Sequence, residues 1–204
     1  MDLMPIVSLI TFILGYGAGT FYPIYDSVRS WSNEQYEVFF TKRKPNAISV
    51  IKKRVVADQI IRYINNTNKS IYIHAFHFTS ESIGQAIVKA LQRGVKVYML
   101  VDKACKTSPH AQNVLQKIQK AGGEIWIDQA PRIAHCKVMI FDKNTVLTGS
   151  YNFTAGAENN TENVLFIKSQ QLAKTYLEYW MERYNDPRVK PFSSNIITQD
   201  MDDF

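Results

Sequence analysis

The chain is short of cysteine, short of metal-binding patterns and, over its first 25 residues, nearly without charge. Its two cysteines, Cys105 and Cys136, form no CxxC pair, so neither a disulfide scaffold nor a cysteine-based metal site is open to it. The four histidines, His74, His77, His110 and His135, include no HExxH. The one close pair, His74 and His77, has no zinc-ligand spacing around it. No internal repeat is visible, and no metal or other cofactor is expected.

Residues 6–22 carry no charge, and with Pro23-Ile24-Tyr25 the uncharged stretch reaches 20 residues, about the length that spans a bilayer. Phe21, Tyr22 and Tyr25 stand at its trailing edge like an interfacial aromatic belt. A secretory signal would need basic residues ahead of the apolar run, and only Asp2 is there, although Gly17-Ala18-Gly19 resembles a cleavage site. The expectation is therefore an N-terminal transmembrane helix over 1–25, with a cleaved signal peptide or a buried helix as alternatives. The basic residues follow the segment, from Arg29 to Lys42-Arg43-Lys44 and Arg54, which places the rest of the chain on the cytosolic side.

With 204 residues, 46% of them hydrophobic, the chain can build one ordinary domain with a full core. Its net charge is +6; beyond residue 25 there are 24 bases against 17 acids, a balance that favours polyanions such as nucleic acid or an anionic lipid surface. Residues 26–45 read as a basic linker or short helix.

From Asn46 onward strand and helix patterns alternate. Strands are expected at Ala47–Ile51, Ser70–Phe78, Val95–Val101, Glu124–Asp128, Ile133–Phe141, Thr145–Thr148 and Asn163–Lys168. Helices are expected at Val55–Asn65, from Ser80 to a stop at Gly94, from Pro109 to a stop at Gly122-Gly123, and at Gln170–Tyr184. That alternation implies an α/β fold, a mixed β-sheet sandwiched by helices, over residues 46–186, with a loose tail at 187–204.

The chemistry gathers at His135-Cys136-Lys137 and at Gly149-Ser150-Tyr151-Asn152. On a strand, His135 and Lys137 share a face while Cys136 turns away as a small buried hydrophobe. An imidazole beside an ammonium makes a poor core and a good anion site: the imidazole attacks or carries a proton near neutral pH, and the ammonium neutralises oxygen charge. A serine hydroxyl and an asparagine carboxamide downstream are natural ligands of phosphate oxygens. Metal-free phosphoryl chemistry follows. Asn-x-Ser/Thr occurs at Asn65, Asn152 and Asn159, but a glycan on Asn152 would destroy such a site.

His135-x-Lys137-x-x-x-x-Asp142, followed by Gly149-Ser150-x-Asn152 and Glu162-Asn163, resembles the HKD signature of the phospholipase D superfamily. Phe76-x-Phe78-Thr79, Arg93-Gly94-Val95-x-Val97 and Leu177-Glu178-x-Trp180 extend the likeness to its small single-motif branch, which contains bacterial nonspecific endonucleases and the mitochondrial cardiolipin hydrolase (Zucchini) group. The resemblance covers roughly residues 46–186. It implies a phospholipase D-like fold, and His135 as the nucleophile that forms a phosphohistidine. Lys137, Ser150 and Asn152 would bind the phosphate oxygens, and Glu162 would orient the imidazole. Asp142 completes the signature and would hold backbone or a basic side chain at the strand end. Such chemistry needs a second histidine as acid. One motif per chain then implies a homodimer with the active site on the two-fold axis; His74 and His77 are the in-chain alternatives.

The function expected is thus a metal-independent phosphodiesterase, first of all a nonspecific endonuclease on DNA or RNA. The alternative is a membrane-anchored phospholipase acting on cardiolipin or a related anionic phospholipid, at the mitochondrial outer membrane in a eukaryote; a signal peptide would instead send the protein to the periplasm or outside. A non-catalytic phosphate-binding module is a third reading, opposed by the intact His135, Lys137, Asn152 and Glu162.

Overall fold

The computed structural model describes residues 35–41 and 55–193. The uncharged segment 1–25, most of the expected linker and the strand expected at Ala47–Ile51 lie outside the described residues. Among the described residues no helix is long and apolar enough to cross a membrane.

Eight strands form one mixed sheet: β1 (Tyr36–Phe40), β2 (Ser70–Ala75), β3 (Lys96–Asp102), β4 (Glu124–Asp128), β5 (Lys137–Phe141), β6 (Thr145–Gly149), β7 (Asn163–Lys168) and β8 (Val189–Pro191). Their order is β1-β7-β6-β5-β2-β3-β4-β8. β2, β3 and β4 run parallel, and the pairings on either side of them are antiparallel. The parallel strands are joined by helices, as parallel connections require. α1 (Val55–Asn66), α2 (Glu81–Gln92) and α4 (Pro109–Lys120) cover one face, where the main core lies; α3 (Ala104–Thr107) is a single turn, and α5 (Gln170–Tyr184) covers the other face.

β2 shows the two-faced burial expected of a central strand. Ile71, Ile73 and Ala75 enter the main core, while Tyr72 packs with Trp180 of α5 at a ring separation of 5.4 Å. Trp180 is itself fixed by donating from its indole nitrogen to Ile73 O at 2.9 Å. Helix starts are capped by Ser80, Ser108 and Ser169, each accepting a backbone N–H from its first turn.

Three expectations need correction. Residues 36–40, taken for linker, form edge strand β1: all five pair antiparallel with β7, and Phe39 is buried against Phe166, contacts that lie more than 120 positions away in the chain. Residues 189–191, taken for tail, form β8, which returns the chain to β4. The strand expected from Ile133 begins at Lys137, because residues 129–136 bend away to hold other partners.

Asp142 ends β5 in the left-handed region (φ 50°), and Lys143 follows it there (φ 54°), giving the tight β5–β6 hairpin. Its carboxylate accepts from Asn68 N (3.0 Å), Lys69 N (2.7 Å) and Ser70 N (3.0 Å), which fixes where β2 starts. Asp142→Ala strands these donors and is expected to cost about 2 kcal/mol in urea unfolding, with Asp142→Asn intermediate; an unchanged midpoint for the alanine variant would refute this role.

Candidate active site

The candidate side chains come from the ends of neighbouring central strands on one side of the sheet. Continuing the β2–β5 register beyond its last pair, Ala75 and Lys137, sets Phe76 against Cys136 and His77 against His135. Phe76 N donates to Cys136 O at 2.9 Å, so the ladder does run on by one bond. His135 is exposed just ahead of β5, and Lys137, its first residue, is 7% exposed.

Lys137 Nζ donates to His135 O at 2.9 Å and stands 5.3 Å from the centre of the Phe76 ring. The hydrogen bond holds the backbone that carries the imidazole, and the ring satisfies part of the charge. Burial lowers the Lys137 pKa, and the Glu162 carboxylate is among the groups that pull it back up. Two of the three ammonium hydrogens remain for an anionic ligand.

Asn152 is positioned from the other side. Phe153, fully buried, bridges to Phe78, and its carbonyl accepts from both Thr79 N and Ser80 N at 3.0 Å. This pins the β6–β7 loop to the end of β2. The Asn152 Oδ1 atom is buried without a hydrogen-bond partner among the described residues. An amide oxygen left so is costly, and a half-turn of the carboxamide would present N–H there instead. The loop departs at Gly149, where a Cβ would come within 2.2 Å of Asn163 O. Only glycine permits that approach of β6 to β7.

Ser150 Oγ donates to Asn163 Oδ1 at 3.2 Å and accepts from Asn163 N at 3.1 Å, so it braces the loop while remaining exposed. Glu162 is half-buried; its carboxylate accepts from Asn160 Nδ2 at 3.2 Å, and its backbone is held by Thr41 at the end of β1. The structure thus sets Glu162 where it acts on Lys137 electrostatically, and its described hydrogen bond goes to Asn160 and not to the His135 imidazole expected from the sequence. Asp142 is not brought to the cluster: it stands at the opposite end of β5, about 17 Å from Lys137 at 3.4 Å per residue. It is a backbone anchor rather than a reacting group.

Several neighbours escaped the sequence. Phe76 has its ring 4.8 Å from that of His135 and 3.9 Å from that of His77. Asp102, 1% exposed at the end of β3, accepts from Ala134 N at 2.7 Å and so holds the residue before His135. A buried acid closing an apolar parallel strand was the available signal. His77, assigned by sequence to a separate strand, lies opposite His135; burial lowers its pKa, Lys137 and His135 lower it further, and Asp102 opposes them.

A family model described as cardiolipin synthase, PLD-like domain, matches residues 60–184. A phospholipase D of Rickettsia bellii is 40% identical over 131 residues, covering 64% of this chain and 62% of that protein. The human mitochondrial cardiolipin hydrolase is 32% identical over 121 residues, covering 59% of this chain and 47% of that protein. The match therefore spans less than two thirds of either relative. Among solved structures, the phospholipase D family member Nuc of Salmonella typhimurium superimposes with a TM-score of 0.68 at 30% identity, over 77% of this chain and 97% of that one. NucT of Helicobacter pylori shares the fold, with a TM-score of 0.63 at 18% identity.

His74, on β2 beneath the site, is 3% exposed, and burial pushes its pKa down to about 4 from 6.5. The folded state therefore binds fewer protons than the unfolded chain between those values. Stability should be full above pH 6.5 and fall by about 3 kcal/mol as pH drops towards 4. Urea midpoints across that range should show the loss in the native protein and a flatter profile in His74→Gln; parallel profiles would overturn the assignment.

Proposed function

The chain belongs to the phospholipase D superfamily, and from that membership we propose that it is a metal-independent phosphodiesterase acting through a phosphohistidine, most readily on nucleic acid. The observation that carries this reading is the buried Lys137 ammonium, tied to the His135 backbone with hydrogens to spare. It stands on the same side of the sheet as the unsatisfied Asn152 carboxamide.

In the first step an imidazole nitrogen of His135 attacks phosphorus, the N–P bond forms, and the bond from phosphorus to the leaving oxygen breaks. An acid gives that oxygen a proton. Lys137 and Asn152 hold the non-bridging oxygens as charge builds there, and Ser150 adds a hydroxyl beside them. Water then attacks phosphorus, the N–P bond breaks, and the group that served as acid accepts the water's proton. The Glu162 carboxylate favours the charged form of Lys137 against the effect of burial.

The acid is assigned to His135 of a second copy in a symmetric dimer. His77, opposite His135 within the chain, is the alternative that the register favours. The basic balance beyond residue 25 supports a nucleic-acid substrate. The uncharged N-terminal stretch supports the phospholipase alternative, with the enzyme tethered at an anionic membrane on its cytosolic side.

Turnover of single-stranded DNA, RNA and cardiolipin vesicles in EDTA tests the reading. One of these substrates should be cleaved at an undiminished rate; loss of every activity in EDTA would sink the metal-free mechanism. His135→Ala should lower kcat by at least about 10³-fold and Lys137→Met by about 10²–10³-fold. A His135→Ala protein that still turns over would remove the nucleophile. Specific activity should fall on dilution through the dimer dissociation range; a fully active monomer would pass the acid's role to His77.

A further inference from the structure

The loop between β4 and β5 is held along its length. Lys103 Nζ donates to Ala130 O (2.7 Å) and Pro131 O (3.0 Å), Asp102 takes Ala134 N, and Gln129 N donates to Arg188 O at 3.2 Å. Between this fixed loop, the end of β4 and α5 lies a cavity of about 370 Å³ that opens beside His135. It is on the α5 side of the sheet, and apart from His135 its walls take no part in the reaction described above.

Those walls combine three kinds of group. Arg132, Arg183 and Arg188 line the cavity together with Asp128; Arg183 pairs with both Asp128 and Asp186, and Arg188 pairs with Asp186. Arg183 is tied to Asp128 through Nε (3.2 Å) and Nη2 (2.7 Å). Arg188 is bound to Asp186 through Nε and Nη2, which leaves the Nη1 hydrogens, and exposed Arg132 has no partner among the described residues. His74 is 97% buried, and its Nε2 has no partner among the described residues. The Tyr179 ring, 47% exposed, lies 6.1 Å from the His74 ring and inclined to it by 29°, an aromatic wall of the cavity.

A ligand suited to these walls is anionic at one end, forms hydrogen bonds and has a planar apolar face. We propose that the cavity is a nucleotide subsite, holding the nucleotide beside the phosphate that His135 attacks, its base on Tyr179 and its next phosphate on Arg132 and Arg188. His74 gives it an uncharged hydrogen bond from the floor, where a buried imidazole is neutral. Basic grooves with aromatic platforms are the common way to hold a single strand, because every base has a face to stack. Ala130, Pro131, Ile133, Ala134 and Cys136 add apolar wall between these groups, which suits the face of a base, while the three guanidinium groups favour a ligand that carries phosphate. This inference rests on the phosphodiesterase reading, and a free single strand is the substrate class it selects.

The test uses the full chain with three probes: a labelled 12-nucleotide single-stranded DNA, methyl p-nitrophenyl phosphate as a diester with one phosphate, and cardiolipin vesicles. Tyr179→Ala and Arg132→Gln should each raise KM for the DNA about tenfold with little change in kcat. Tyr179→Phe, which keeps the ring, should restore the native KM. The ratio of kcat/KM for DNA to that for the small diester should fall about tenfold in Arg132→Gln. DNA KM values within twofold of native in both variants would overturn the subsite, as would equal losses on DNA and the small diester, or a loss confined to cardiolipin. A native protein that cleaves the small diester and cardiolipin but no DNA would also overturn it, with the phosphodiesterase reading left standing. A native protein inert towards all three would refute that reading itself, and the subsite with it.

Discussion

The rest of the site depends on one buried cation. Lys137 opens a strand whose five residues are all buried, and a desolvated ammonium there must be given partners. One is the carbonyl of His135, one is the face of Phe76, and the Glu162 carboxylate lies close enough to act through its field. Two of these have a second consequence: the carbonyl bond fixes the backbone of the exposed histidine, and the Phe76 ring lies against both the His135 and His77 rings.

The sheet makes this arrangement rigid. β5 lies antiparallel between β2 and β6, so the start of β5 meets the ends of both. Residues more than seventy positions apart, such as Phe78 and Phe153, thereby come into contact and set Asn152 beside the end of β2. At the far end of β5, Asp142 holds the start of β2 and fixes the same pairing from below. The signature's aspartate and its histidine thus serve one strand from opposite ends, one holding it in register and the other exposed at its mouth.

Much of this was legible in the residues. Alternation placed β4, β7 and α5 at their observed bounds, because apolar spacing and serine caps are local properties. The same-side placement of His135 and Lys137 followed from strand geometry alone. β1 and β8 were not legible, since a five-residue and a three-residue edge strand are stable only against the strand beside them. Nor was the cavity near His135, whose walls come from β2, β4, α5 and the loop between β4 and β5.

Residue order therefore settles the α/β class, the shared strand face of His135 and Lys137 and the starts of the helices, all of which depend on neighbours within a few positions. It does not settle which carboxylate reaches which base. Glu162 was expected at the imidazole and lies where Lys137 feels it, while Asp142, expected to hold backbone or a basic side chain, takes the backbone of Asn68, Lys69 and Ser70. His77 was placed with His74 on a strand apart from His135, and the β2–β5 register carried past Ala75 and Lys137 sets it against His135. These are long-range pairings set by strand order and register, and only the packed sheet, by choosing which edges meet, assigns them.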